Sequence, residues 1–261
     1  MRFALVIFML SIGVSGCVMR SAVIPHPETA RRELILRGYL FKEPVFVERA
    51  RDGDLVLVRL FLVAGMSANV KDERGETPLI AAAKNGHSKV VGTLLASGAN
   101  INERDREGQT ALMRAVREGS VETVRLLLLK RPDVNAQSPN GSTALMHAVW
   151  KDDPAIFQML LDGGSDINIS DADVGTALTW AVYYNRAAFV QSLLAKTADP
   201  NARNNVGGTP LMIAAANGYT ELVKILLASG ADPNTKDKEG RTAMTWAEDN
   251  SQSEAARLLE D

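Results

Sequence analysis

The sequence predicts an all-α solenoid of helix-turn-helix units with β-turn fingers, and three series of residues predict it. Thr77, Thr110, Thr143, Thr176, Thr209 and Thr242 stand 33 residues apart. Ala82, Ala115, Ala148, Ala181, Ala214 and Ala247 keep the same interval, as do Asn69, Asn102, Asn135, Asn168, Asn201 and Asn234. Three registers held across one chain mark stacked repeats, in which a unit buries its apolar face only against its neighbours.

Each unit begins with its threonine. In Thr77-Pro78-Leu79 and Thr209-Pro210-Leu211 an N-capping hydroxyl precedes a proline at the first helical position, so a helix starts there. Gly86, Gly119 and Gly218 follow nine residues after their threonines, where a left-handed residue closes a short first helix. The second helix carries paired apolar positions, as in Val90, Val91, Leu94 and Leu95, then Val124, Leu127 and Leu128, then Phe157, Leu160 and Leu161. Asp153-Pro154 is a cap and start for the second helix of the fourth unit. The segments Asp72-Glu73-Arg74-Gly75, Asp105-Arg106-Glu107-Gly108 and Asp237-Lys238-Glu239-Gly240 suit tight turns, with Asp bonding local backbone and Gly accepting positive φ. Each would project as a finger before the next helix pair.

These residues resemble the ankyrin repeat. The 33-residue unit, the T-P-L start, the alanine five residues on, Gly86-His87 and the closing Gly230-Ala231-Asp232-Pro233-Asn234 all match that pattern. The resemblance covers residues 44–261 as about seven repeats, the first (Pro44 to Gly53 onward) and last divergent. The histidine that the family carries after T-P-L is replaced by Ile80, Met113, Met146, Thr179, Met212 and Thr245. Arg131 and Thr197 take the left-handed position that Gly98, Gly164 and Gly230 hold, at a cost of roughly 1 kcal/mol each. Glu260 replaces an outer-helix leucine, which suits a terminal cap.

The amino terminus differs in kind. Met1-Arg2 and the apolar run Phe3 to Ile12 have the form of a signal peptide over residues 1–16. The run ends in Val14-Ser15-Gly16-Cys17, which resembles the bacterial lipobox, so the resemblance implies a lipid-anchored chain beginning at Cys17. Phe3 to Met19 falls short of the roughly 20 residues a spanning helix needs. Cys17 is the only cysteine, so the folded part is expected to rely on packing rather than a disulfide. Val18, where inner-membrane lipoproteins carry aspartate, favours the outer membrane and a periplasm-facing domain. Residues 17–27 then read as a tether, and residues 28–43 as a capping segment with one helix over Glu28 to Leu40.

Composition excludes several function classes. A net charge of −2 provides no basic stripe, so no nucleic-acid partner is expected. Three histidines and one cysteine cannot supply convergent ligands, so no metal is expected. Val206-Gly207-Gly208-Thr209 recurs at the repeat interval as a turn rather than a phosphate loop, so no cofactor or small-molecule substrate is expected. His147 with Asp152 or Asp153 is the sole hydrolase candidate, and ordinary helix-surface residues are the preferred reading.

In the ankyrin family, partners lie along the concave face formed by fingers and first helices. Two series follow that face here: Lys84, Arg117, Trp150, Tyr183, Ala216 and Asp249, and Ala81, Arg114, His147, Trp180, Ile213 and Trp246. Arg114, Arg117, His147, Trp150, Trp180 and Tyr183 converge on the fourth and fifth repeats, and aromatic and Arg side chains dominate interface hot spots. His147 and Trp180 stand equally well partly inside the helix pair. The resemblance therefore implies a non-enzymatic scaffold for a protein partner, with an inhibitor or immunity protein against a toxic enzyme as the narrower alternative.

Overall fold

The computed structural model describes residues 26–260, and Cys17 lies outside them. Among the described residues every regular element is a helix, and an isolated antiparallel bridge joins Ser170 to Thr176. Helix α1 (Pro27–Leu36) precedes seven helix pairs. They are α2 (Glu43–Arg51) with α3 (Leu55–Val63), α4 (Pro78–Lys84) with α5 (Ser88–Ala96), and α6 (Ala111–Glu118) with α7 (Val121–Leu129). Then come α8 (Ala144–Lys151) with α9 (Pro154–Asp162), α10 (Ala177–Tyr183) with α11 (Ala187–Ala195), α12 (Pro210–Ala216) with α13 (Thr220–Ala228), and α14 (Ala243–Asp249) with α15 (Ser253–Arg257).

Local chemistry starts and stops these short helices as the pattern requires. The hydroxyls of Thr77, Thr110, Thr143, Thr176, Thr209 and Thr242 each accept the amide three residues on, at 3.2 to 3.4 Å. The residues that replace the family's histidine also serve the cap. The sulfurs of Met146 and Met212 accept the amides of Thr143 and Thr209, and Thr179 and Thr245 share hydroxyl bonds with Thr176 and Thr242. His87 lies against Gly53, where a Cβ would meet its ring at 2.6 Å, and its Nε2 bonds the Arg51 carbonyl at 3.0 Å.

The asparagine series stitches repeats together. The side-chain oxygens of Asn69, Asn135 and Asn201 accept the amides of Asn100, Asp166 and Asp232 in the following repeat, at 2.7 to 2.8 Å. Inside, one apolar core runs the length of the stack, from Leu34 and Phe46 to Ala255, without exit to a second core. Phe157 and Phe189 meet across two repeats with ring centroids 4.5 Å apart. First helices contact their counterparts in neighbouring repeats more extensively than second helices do, so the stack closes on the first-helix side and that face is concave.

Five non-glycine residues, Arg131, Asp152, Asn185, Thr197 and Ser251, adopt left-handed backbone, and two of them stand where other repeats place glycine. Arg131 (φ 53°) and Thr197 (φ 64°) sit in left-handed conformation where Gly98, Gly164 and Gly230 sit elsewhere, with nothing within 4 Å of a built Cβ at those glycines. Thr197→Gly and Arg131→Gly are therefore expected to stabilise the chain by about 1 kcal/mol each, read as higher urea midpoints. Unchanged or lower midpoints would show that the side chains compensate.

The capping helix is shorter than the sequence reading. It starts at Pro27, capped by His26, and ends at Leu36 rather than Leu40, because Gly38 (φ 80°) turns the chain and the Tyr39 amide bonds back to Leu34.

Candidate protein-binding surface

In the third, fifth and seventh repeats one device joins finger to first helix. The finger aspartate uses Oδ1 to accept two or three finger amides, which leaves Oδ2 for a donor nine residues on. Asp105 accepts the amides of Glu107 and Gln109 through Oδ1, and Arg114 binds its Oδ2 at 2.9 and 2.5 Å. Asp171 holds Trp180 Nε1 at 2.9 Å, and Asp237 holds Trp246 Nε1 at 2.8 Å. In the second repeat position 81 is alanine, and Arg51 of the preceding repeat donates to Asp72 Oδ2 at 2.8 Å instead. In the sixth repeat both members change together, to Asn204 and Ile213.

This device corrects one predicted site residue. Arg114 is not on the surface: it is 5% exposed and spent on Asp105, with Glu107 at 3.2 Å. Trp180 is half-buried for the same reason, its indole N–H turned to Asp171. Arg117 is exposed and makes no ion pair or side-chain hydrogen bond among the described residues. Trp150 is 42% exposed and Tyr183 51% exposed, at equivalent positions of the adjacent helices α8 and α10.

His147 lacks the partner its neighbours have. The finger position of its repeat is Ser138, whose hydroxyl binds Asn140, and the buried Nδ1 of His147 has no hydrogen-bond partner among the described residues. Burial, then the charges of Arg117 and Arg114, push its pKa down from 6.5 to about 4, against a smaller opposing pull from Asp171. The carboxylates of the hydrolase candidate are engaged elsewhere. Asp152 is paired with Arg186 at 2.9 Å, and Asp153 caps α9 through the Ile156 amide. Among the described residues no group of three or more His, Cys, Asp or Glu is placed to hold a metal ion.

The depressed His147 value has a consequence for stability. Between its folded and unfolded values the unfolded chain binds the proton that the folded chain refuses. The stability is therefore complete above about pH 6.5 and lost as pH falls to about 4, by at most about 3 kcal/mol. His147→Gln is expected to flatten that part of the pH profile of urea midpoints. Ser138→Asp, which restores the finger carboxylate, is expected to raise the His147 pKa in an NMR titration. An unshifted titration would contradict the assignment.

The exposed surface extends further toward the carboxyl end than the sequence reading. Tyr184 packs edge-on against Tyr183, with ring centroids 5.1 Å apart, and lies 5.7 Å from Trp180. An open cleft of ≈ 230 Å³ follows, lined by Val174, Tyr183, Asn204, Ile213, Asn217 and Trp246. Trp246 is also covered by the Arg241 guanidinium, 5.2 Å from its ring centroid. Ile213 and Trp246 continue the series that contains Arg114 and His147, so the same spacing pointed to them, and Tyr184 was signalled by its place beside Tyr183.

Concave stack, finger device and period together define a repeat scaffold, and comparison with known proteins assigns its class. A family model described as ankyrin repeats (3 copies) matches residues 47–138, 93–171, 127–204 and 178–261, and the chain belongs to this family. An ankyrin repeat-containing protein of Treponema pallidum is 46% identical over 54 residues, 21% of this chain and 18% of that relative, so the match spans under a fifth of the relative's length. Among solved structures, the ankyrin repeat domain of Bcl-3, of the IkappaB protein family, is similar with TM-score 0.73 and 30% identity over 83% of this chain and 97% of that one. The human ASB11 ankyrin repeat domain gives 0.71 and 26% with the same coverage. A chain from the complex of a predatory endopeptidase of Bdellovibrio bacteriovorus with an immunity protein gives 0.65 and 29%, over 73% of this chain and 98% of that chain.

Proposed function

We propose that this ankyrin-repeat chain is a non-enzymatic scaffold that grips one protein through the concave face of its middle repeats. It is held by lipid on Cys17 in a bacterial cell envelope, at the outer membrane and facing the periplasm. The observation that carries the binding reading is the pair Trp150 and Tyr183. Both are large aromatic side chains left open to solvent on the concave side, while Trp180, between them in the same helices, turns its indole N–H inward to Asp171. Side chains of this kind bury much area at small conformational cost when a partner arrives. The anchor rests on the apolar run and on Val14-Ser15-Gly16-Cys17.

A second reading narrows the first: the partner is a lytic or toxic enzyme of the same compartment, and binding inhibits it. The similarity to a chain from an endopeptidase in complex with an immunity protein favours it. A photo-activated crosslinking residue placed at position 150 or 183 in intact cells tests both readings. The expected product joins the chain to one defined protein, and the same residue at Ala188, on the convex side, gives none. Equal yields at all three positions would overturn the concave site. A captured hydrolase whose activity falls on adding the purified chain would establish the narrower reading.

A further inference from the structure

The two ends of this solenoid differ in a way that stacking does not explain. A terminal unit has no neighbour to cover it, so solubility requires a polar outer face. The carboxyl end obeys: Ser251, Ser253, Glu254, Arg257 and Glu260 are exposed there, and all are polar or charged. The amino end does not. Ile35 is 68%, Leu36 83% and Leu40 61% exposed, three large aliphatic side chains within six residues, with Val56 of α3 exposed as well. They are not surplus core residues, because Ala30 and Leu34 already fill the face that α1 turns to α3. The turn at Arg37 and Gly38 holds Leu36 and Leu40 on either side of one exposed corner.

Charge marks the same corner. From His26 to Lys42 four cations (Arg31, Arg32, Arg37, Lys42) stand against Glu28 and Glu33, whereas the chain from Glu43 onward carries 23 Lys and Arg against 29 Asp and Glu. The positive end of an otherwise acidic domain is therefore also its apolar end. Aliphatic side chains flanked by Arg and Lys are the composition that seats a helix in the interface of an anionic bilayer. Position along the chain supplies the remaining argument, which rests on the lipid-anchor reading above. His26 lies nine residue steps beyond Cys17, and fully extended they span at most about 30 Å. A chain acylated at Cys17 cannot carry α1 farther than that from the membrane surface.

The geometry points to the amino-terminal cap as a membrane-seating surface: Ile35, Leu36 and Leu40 enter the interface of an anionic phospholipid bilayer, with Arg32 and Lys42 against its headgroups. This seating stands the solenoid on its amino end. The anchor then fixes an orientation as well as a location, and the aromatic concave face is presented at a set height above the membrane instead of sweeping freely on a tether.

The lipidated full chain, purified from cells with Leu36→Cys or Ser253→Cys carrying a nitroxide, tests this on vesicles of phosphatidylethanolamine with a minority of phosphatidylglycerol. Mass analysis of the amino-terminal peptide reports acylation of Cys17 separately. The seating predicts a label at 36 that lies about 5–10 Å into the interface, protected from a water-soluble relaxation agent and severalfold more open to oxygen than the label at 253. Pairing with Ile35→Asn and Leu40→Asn is expected to return it to water. An acylated chain whose label at 36 is as water-accessible as that at 253 would overturn the seating and leave the anchor standing. A label shielded from both water and lipid would assign the patch to a second copy or to the preceding segment of this chain, also overturning it. A free thiol at Cys17 would overturn the anchor reading, and the seating with it.

Discussion

Arg114→Ala is expected to cost about 3–5 kcal/mol of folding stability, the largest loss from any single side chain on the concave face. The guanidinium and the Asp105 carboxylate are 6% and 3% exposed, so removing one partner strands a charge away from water. The Asp105 carboxylate also organises its finger through the amides of Glu107 and Gln109, so the damage spreads to the finger. The chain itself provides the rescue. Its sixth repeat carries Asn204 and Ile213 at these two positions, and its fifth carries Asp171 and Trp180. Arg114→Ile with Asp105→Asn is therefore expected to recover most of the loss, since a buried ion pair exchanged as a unit for apolar packing is close to neutral. Urea unfolding followed by circular dichroism measures all three variants. A double variant as unstable as Arg114→Ala would mean that the pair does more than satisfy itself.

Trp150→Ala with Tyr183→Ala should produce the opposite pattern. Both side chains are largely in solvent, so the unfolding midpoint is expected to move by less than about 0.5 kcal/mol per substitution. Partner affinity is expected to fall by at least about 30-fold, the effect of losing one hot-spot residue or more at roughly 2 kcal/mol each. Titration calorimetry with the captured partner reads the second number and circular dichroism the first. The two variants thus separate the two halves of the face: Arg114 builds it and Trp150 and Tyr183 use it.

Much of the fold was legible because a stack repeats its own interface. Every threonine cap, every left-handed closing residue and every bridging asparagine answers the same local demand 33 residues later, so the period is written several times over. The charged and apolar alternation continues to Leu40 and so extends the predicted α1, although Gly38 carries the signal for a stop. The surface was legible only in part. Trp150, Tyr183 and Arg117 were placed outward by register alone. Register could not bury Arg114, because that depends on a second residue, Asp105, nine positions upstream. The clue was nevertheless in the chain: Asp105 with Arg114, Asp171 with Trp180 and Asp237 with Trp246 pair a carboxylate with an N–H donor, and Ser138 and Asn204 break the pattern where His147 and Ile213 stand.

Side-chain footprinting by hydroxyl radicals, with and without the bound partner, tests the central claim most directly. Use of the concave face predicts that oxidation of Trp150 and Tyr183 slows strongly in the complex, that Trp180 and Trp246, already half-buried, change less, and that Leu129, exposed on the second helix α7, does not change. Protection confined to the outer helices α9 and α11, with Trp150 and Tyr183 as reactive as in the free chain, would contradict it.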